Sequence, residues 1–310
     1  MGWFKMAFTV ERRSDRVVPV LRPSLPTPTD KRKPVAMSCI SFSCRCLYRI
    51  SVIRLLLLCI LVAAGVSAGN AADFRVVTQI YQADDKQPLG ENTTIFYGRK
   101  VYDFPTIGDQ ITCFERDENQ FVVLDTAKRT WTRIPTDQLL QYTAWLKDRS
   151  GESDDPLLRF CSAPKFEMRS ENDGKRWFFN HPVLQYQVEG ISLEDPQIGI
   201  QYRAFGDWYA RLNTMLRPQS LPPFPRILVN QKLVQQNLLP REVELRISSA
   251  PHIGNRELVI RSVHTIHSEL SEKDHERLVW LNGCREKFSE VKLIAYRSPS
   301  LESAENTSDR

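Results

Sequence analysis

His264, His267 and Glu269 form the one grouping in the chain where imidazoles and a carboxylate stand close enough in sequence to suggest metal ligation or acid/base chemistry. Such chemistry needs convergence, because a metal gathers its ligands at about 2 Å and a nucleophile needs a base and an orienting group. All three residues lie on or just beyond the run 257–267, whose alternation reads as a strand. A strand sends His267 and Glu269 to one face and His264 to the other, so only two of the three can meet one ion. They read as half-exposed strand histidines, with an enzyme using the His264/His267 region as the lesser alternative.

The chain contains no Gly-x-Ser-x-Gly elbow, no Gly-x-Gly-x-x-Gly, no phosphate-cradling loop and no His-Glu-x-x-His. No catalytic residue, metal or cofactor is assigned. The acidic groups Asp84-Asp85, Asp154-Asp155 and Glu115 with Asp117 and Glu118 all fall at predicted turns. There their own side-chain to backbone hydrogen bonds explain them, and the calcium-loop pattern with its central Gly is missing.

Charge and cysteine usage both change at Ala68. Residues 1–68 hold 11 Lys and Arg against 3 Asp and Glu, so of the 42 basic and 37 acidic residues in the chain, 31 and 34 remain beyond it, a net charge of −3. Nucleic-acid binding needs clustered cations on the folded surface, and the basic excess lies in the leader. Four of the 7 cysteines, Cys39, Cys44, Cys46 and Cys59, also precede Ala68. Cys113, Cys161 and Cys284 stand too far apart for a dense disulfide framework or a zinc site. One pairing among them is allowed, and each reads most simply as a small buried hydrophobe.

Arg45, Arg49 and Arg54 lead into an apolar run from Leu55 to Val66, followed by the small residues Ser67-Ala68-Gly69-Asn70-Ala71-Ala72. Charge, apolar segment and cleavage region in that order read as a signal peptide over 37–68, cut after Ala68, with Ala71 or Ala72 as alternatives. The run is shorter than the roughly 20 residues of a membrane-spanning helix, so the membrane is met only through the transient signal peptide. Residues 1–36 are Arg- and Pro-rich without apolar periodicity and read as a disordered or mis-called extension ahead of a start at Met37, or as a cytoplasmic tail. The expected location is periplasmic or secreted.

From residue 69 to 300 the pattern is one α+β domain, with 301–310 as a disordered tail. Alternating runs at 74–82, 92–97, 101–104, 110–114, 120–124 and 130–134 predict an antiparallel meander. Thr136 is the expected N-cap of a helix over 137–147, and Asp155-Pro156 opens a short helical turn. Further strands are expected at 165–169, 175–179, 183–188, 241–247 and 257–267. Ser271, with Asp274 three residues on, starts a final helix.

The clearest helix runs from Asp195-Pro196 to about Leu216. Ile198, Tyr202, Phe205, Tyr209, Leu212 and Leu216 recur at spacings of four and three, a single apolar stripe widened by Trp208 and Met215. Such a stripe is ordinary core, but a helix laid on a curved sheet also bounds an apolar cavity. Tyr202, Phe205, Trp208, Tyr209, Leu212 and Phe224 are therefore the candidate ligand-lining residues. The Pro-rich segment 221–225 reads as a lid or a stiff connector before a helix over 226–236.

Three stretches, Gly98-Arg99-Lys100-Val101-Tyr102, Phe121-Val122-Val123-Leu124-Asp125 and Leu239-Pro240-Arg241-Glu242-Val243-Glu244-Leu245, together with the signal peptide, resemble the bacterial periplasmic lipoprotein-carrier (LolA-like) family. The chain is also similar to uncharacterised exported bacterial proteins of comparable length. The resemblance implies a curved antiparallel sheet, an incomplete barrel, with helices packed over its concave, open side around an acyl-chain cavity. The family begins with a helix for which Ala72-Asp73-Phe74 leaves no room. The expected function is an exported, non-catalytic carrier or sensor of lipid-like or acylated ligands in the cell envelope. The alternative is an envelope interaction module without a cavity.

Overall fold

The computed structural model describes residues 72–250 and 256–297. The extension 1–36, the signal peptide 37–68, its cut sites at Ala68 and Ala71 and the tail 301–310 lie outside the described residues. Among those described, no helix is long and apolar enough to cross a membrane.

The strands are β1 (Phe74–Gln82), β2 (Gly90–Tyr97), β3 (Lys100–Pro105), β4 (Gln110–Glu115), β5 (Gln120–Asp125) and β6 (Thr130–Pro135), then β7 (Glu167–Glu171), β8 (Arg176–Asn180), β9 (Leu184–Ser192), β10 (Leu238–Ala250), β11 (Arg256–His267) and β12 (Ser289–Glu290). They form a 12-stranded sheet in the order β12-β6-β5-β4-β3-β2-β1-β11-β10-β9-β8-β7. All pairs are antiparallel except β12 with β6. The sheet is curved and does not close. Its two meanders are welded where β1 pairs with β11, Thr78 opposite His264. Tight turns suit the hairpins: Asn172, Asp173 and Gly174 between β7 and β8 all take left-handed φ, the region open to Gly, Asn and Asp.

The helices are α1 (Thr136–Gly151), α2 (Pro156–Ser162), α3 (Pro196–Leu216), α4 (Phe224–Gln235), α5 (Glu272–Lys287) and α6 (Leu293–Arg297). Asp195 caps α3 by accepting from the Gln197 amide, and Asp155 caps α2 through Leu157. Ser271 and Asp274 form the capping box of α5. At α1 the cap differs from expectation: Thr136 is the first helical residue and Pro135 holds the cap position without a side-chain bond. The Thr136 amide is instead taken by the Asn119 carbonyl, an extension of the neighbouring strand pairing. Two elements, β12 and α6, have too few residues for any periodicity to announce them.

Two apolar layers sandwich the first meander. On the concave side α3 covers Phe74, Val76, Phe96, Phe114, Phe121 and Ile134, while α2 and α4 cover Phe179, Leu184, Val188 and Val243 of the second meander. On the convex side α5 lays Leu278, Leu281 and Cys284 on Tyr102, Val122, Leu124 and Trp131. Each side chain of this size, fully buried, contributes roughly 1.5–3 kcal/mol.

Glu115 pins α5 to the sheet, which corrects its reading as a solvated turn residue. Its carboxylate is buried and accepts from Lys100 Nζ at 2.8 Å, Gln120 Nε2 at 2.8 Å and Arg285 Nη1 of α5 at 2.6 Å. Burial alone would raise its pKa, but these donors outweigh it and hold the group at about 2. The folded pKa lies below the unfolded value of about 4.3, so the stabilisation is present above that pH and is lost as pH falls toward the folded pKa. Glu115→Gln is expected to cost about 2–3 kcal/mol at neutral pH and to flatten the acid limb of the stability curve, read by urea unfolding from neutral to acid pH.

Candidate functional site

Strand register writes the concave face as rows. One runs Phe74, Phe96, Val101, Phe114, Phe121, Ile134 across β1 to β6, each residue opposite the next. Because inward positions recur every second residue, the neighbouring row runs Val76, Thr94, Asp103, Thr112, Val123, Thr132. Beyond it Thr78 stands between His264 and Asn92. An aromatic row therefore lies beside a polar belt, all of it buried.

The stripe of α3 reads both rows. Phe205 sits 5.8 Å from Phe96, edge to face, and 6.4 Å from both Phe114 and Phe121. Trp208 reaches Phe114 at 6.5 Å. Tyr209 crosses to the belt and donates to Asp103 Oδ2 at 2.7 Å, and the same carboxylate accepts from Asn92 Nδ2 at 3.0 Å and Thr94 Oγ1 at 2.8 Å. Tyr202 and Leu212 are buried in this layer, Trp208 is half-buried against it, and Phe224 is half-buried at the start of α4 with Lys147 5.9 Å over its ring. The structure brings Tyr202, Phe205, Trp208, Tyr209 and Leu212 together, with Phe224 apart at the α3–α4 elbow.

His264 belongs to the polar belt, and His267 is on the opposite face opposite Arg75, as alternation requires. Ser262 Oγ lies 2.7 Å from His264 Nε2, Thr78 Oγ1 3.0 Å from Nδ1 and the Tyr202 hydroxyl 3.4 Å from Nδ1. His264, Ser262 and Thr78 are no more than 2% exposed. Among the described residues, no cluster of three or more His, Cys, Asp or Glu could hold a metal. Cys113, Cys161 and Cys284 are buried free thiols, and burial pushes the first two up to about 12.

Burial, with the Arg226 charge adding to it, drives the His264 pKa well below the ordinary value. The imidazole is thus neutral in the fold, whereas the unfolded chain binds a proton below about pH 6.5. Stability therefore falls as pH drops through that range, by at most about 1.4 kcal/mol per pH unit for this one group. His264→Gln should remove that part of the slope, measured as the difference between the two proteins in chemical unfolding at about pH 7.5 and about pH 5.5.

Between α3, β9 and the segment leading into α4 lies an enclosed cavity of about 20 Å³, lined by residues that include Tyr186, Asn213, Ser220, Leu221, Pro225 and Arg226. Leu221, Pro222, Pro223 and Pro225 are buried, so the Pro-rich segment is packed down over it. Asp103, Thr94, Ser220 and Arg226 were not among the residues singled out from sequence. For the two strand residues the signal is faint, a polar residue at an inward position of an otherwise apolar alternation, as with Asp103 between Val101 and Pro105, while Ser220 and Arg226 lie off the strands where no alternation marks them. No protein-family model and no curated protein matches the chain.

Proposed function

We propose that the protein is an exported, non-catalytic carrier or sensor of amphiphilic, lipid-like ligands in the bacterial cell envelope, released from its leader after Ala68. The observation that carries this reading is the two-textured concave face, an aromatic row beside a polar belt, roofed by helices and not by a second sheet. An amphiphile has the same two textures, so its chain matches the Phe row and its uncharged polar groups the belt. An open curved sheet with helices over its hollow is also what the resemblance to the lipoprotein-carrier family implies. Loading requires the α3 side chains to withdraw from that row, because Phe205 and Tyr209 occupy it. A helix joined through a short connection to α4 moves at lower cost than a strand, since no sheet hydrogen bonds break.

Solvent extraction of the protein purified from bacterial envelopes, followed by mass spectrometry, tests the reading. Near-stoichiometric amphiphile is the expected result, and a lipid-free, tightly filled interior opposes it. A second reading, an envelope interaction module without a ligand, is favoured by Val279 and Trp280, adjacent on α5 and 72% and 51% exposed. It predicts an envelope partner whose co-precipitation is lost in Trp280→Ala.

A further inference from the structure

The connection from Arg217 to Pro223 closes the small cavity, which at about 20 Å³ takes one oxygen-sized group. Three features of its lining favour an anion. Ser220 is 7% exposed, and its hydroxyl oxygen is buried without a hydrogen-bond partner among the described residues. A buried hydroxyl left in that state is costly unless something supplies the missing bond. Secondly, α4 starts at the cavity with Pro223 in the cap position and no side-chain cap. The first-turn amide of Arg226, a lining residue, has no acceptor within the helix, and the positive end of the helix dipole lies there. Thirdly, Arg226 lines the same space.

We propose that this cavity is a subsite for one oxygen of an anionic head group, a carboxylate or a phosphate, held by the Arg226 guanidinium, the Ser220 hydroxyl and the Arg226 amide at the start of α4. The inference rests on the carriage reading and sharpens it: the ligand is an anionic amphiphile whose head docks at the α3–α4 elbow. Guanidinium with flanking neutral donors is the usual solution for an oxyanion, and the apolar prolines around it strengthen the attraction by excluding water.

Calorimetric titration of the purified protein, stripped of co-purified lipid, with oleate, oleyl alcohol and inorganic phosphate separates the outcomes. Oleate is expected to bind at least about tenfold tighter than oleyl alcohol, with Arg226→Gln abolishing that preference and Ser220→Ala reducing it by a smaller factor. Phosphate that binds alone and is lost in Arg226→Gln supports the subsite with a free anion as its source. Equal binding of oleate and oleyl alcohol, unchanged in Arg226→Gln, overturns the subsite and leaves carriage standing. Absence of binding by all three overturns both. Ser220→Ala guards against misfolding as an explanation, because removing an unpartnered hydroxyl leaves the thermal midpoint unchanged or raised.

Discussion

Phe205→Ala is expected to cost about 3–5 kcal/mol. Phe205 is 1% exposed and packs on Phe96, Phe114, Phe121 and Tyr209, so its ring is the point where α3 touches three strands at once. Truncation removes the transfer energy of the ring and leaves a space that β-strand neighbours, fixed by their ladders, cannot collapse into. For a folded region of this size the loss corresponds to a fall in thermal midpoint of roughly 10 °C. Calorimetry or thermal circular dichroism reads it directly. A loss under about 1 kcal/mol would mean that α3 is not seated on the Phe row.

Asp103→Ala is expected to cost about as much for a different reason. The carboxylate gathers hydrogen bonds from Asn92, Thr94 and Tyr209, and all four residues are buried. Alanine leaves three donors without an acceptor, each penalised by roughly 1–3 kcal/mol before relaxation, so about 3–5 kcal/mol in total is expected. Asp103→Asn keeps one carbonyl oxygen and should cost less than half of that. Tyr209→Phe removes a single donor, at about 1–2 kcal/mol. Because Asp103 and Tyr209 share one hydrogen bond, Asp103→Asn with Tyr209→Phe should cost less than the two summed, a coupling that urea unfolding of the four proteins reads. Strict additivity would show that Tyr209 does not anchor α3 to the belt.

The two variants address different parts of one design. Phe205 fastens α3 to the aromatic row by shape, and Tyr209, one turn later, fastens it to the polar belt by direction. A helix held by dispersion alone can slide along an apolar row, whereas a buried hydrogen bond to one carboxylate fixes its register.

Period-two alternation carried the strands from Phe74 to Ile134 and the 3.6-residue period carried α3, because each of these elements buries one face and exposes the other. Caps at Asp155, Asp195 and Ser271 were readable for the same local reason: a short oxygen-bearing side chain just before an apolar period has one structural use. What sequence left hidden is long-range. Nothing local states that β1 pairs with β11 across 186 residues at Thr78 and His264, so Ser262, His264 and Thr78 could not be seen as one polar cluster. Glu115 looked like a turn carboxylate because its partner Arg285 lies 170 residues away. β7 runs Glu167–Glu171, two residues beyond the expected 165–169, since an exposed edge strand of charged residues has no buried face to set its phase. Of the candidate lining, the α3 residues were legible as a stripe, but the belt they cover was not. Its polar members are scattered over six strands, and apart from His264 each alone is an ordinary Thr, Asn, Ser or Asp.

We propose that the concave face holds an amphiphile. Titration of the purified protein with a fluorescent single-chain fatty acid, displaced afterwards by oleate, tests it most directly. The account predicts a saturable rise in fluorescence at a single site, reversed by oleate and altered by Phe205→Ala in a variant shown to remain folded. A folded protein that gives no saturable signal, with an interior that stays closed to the probe, would contradict it.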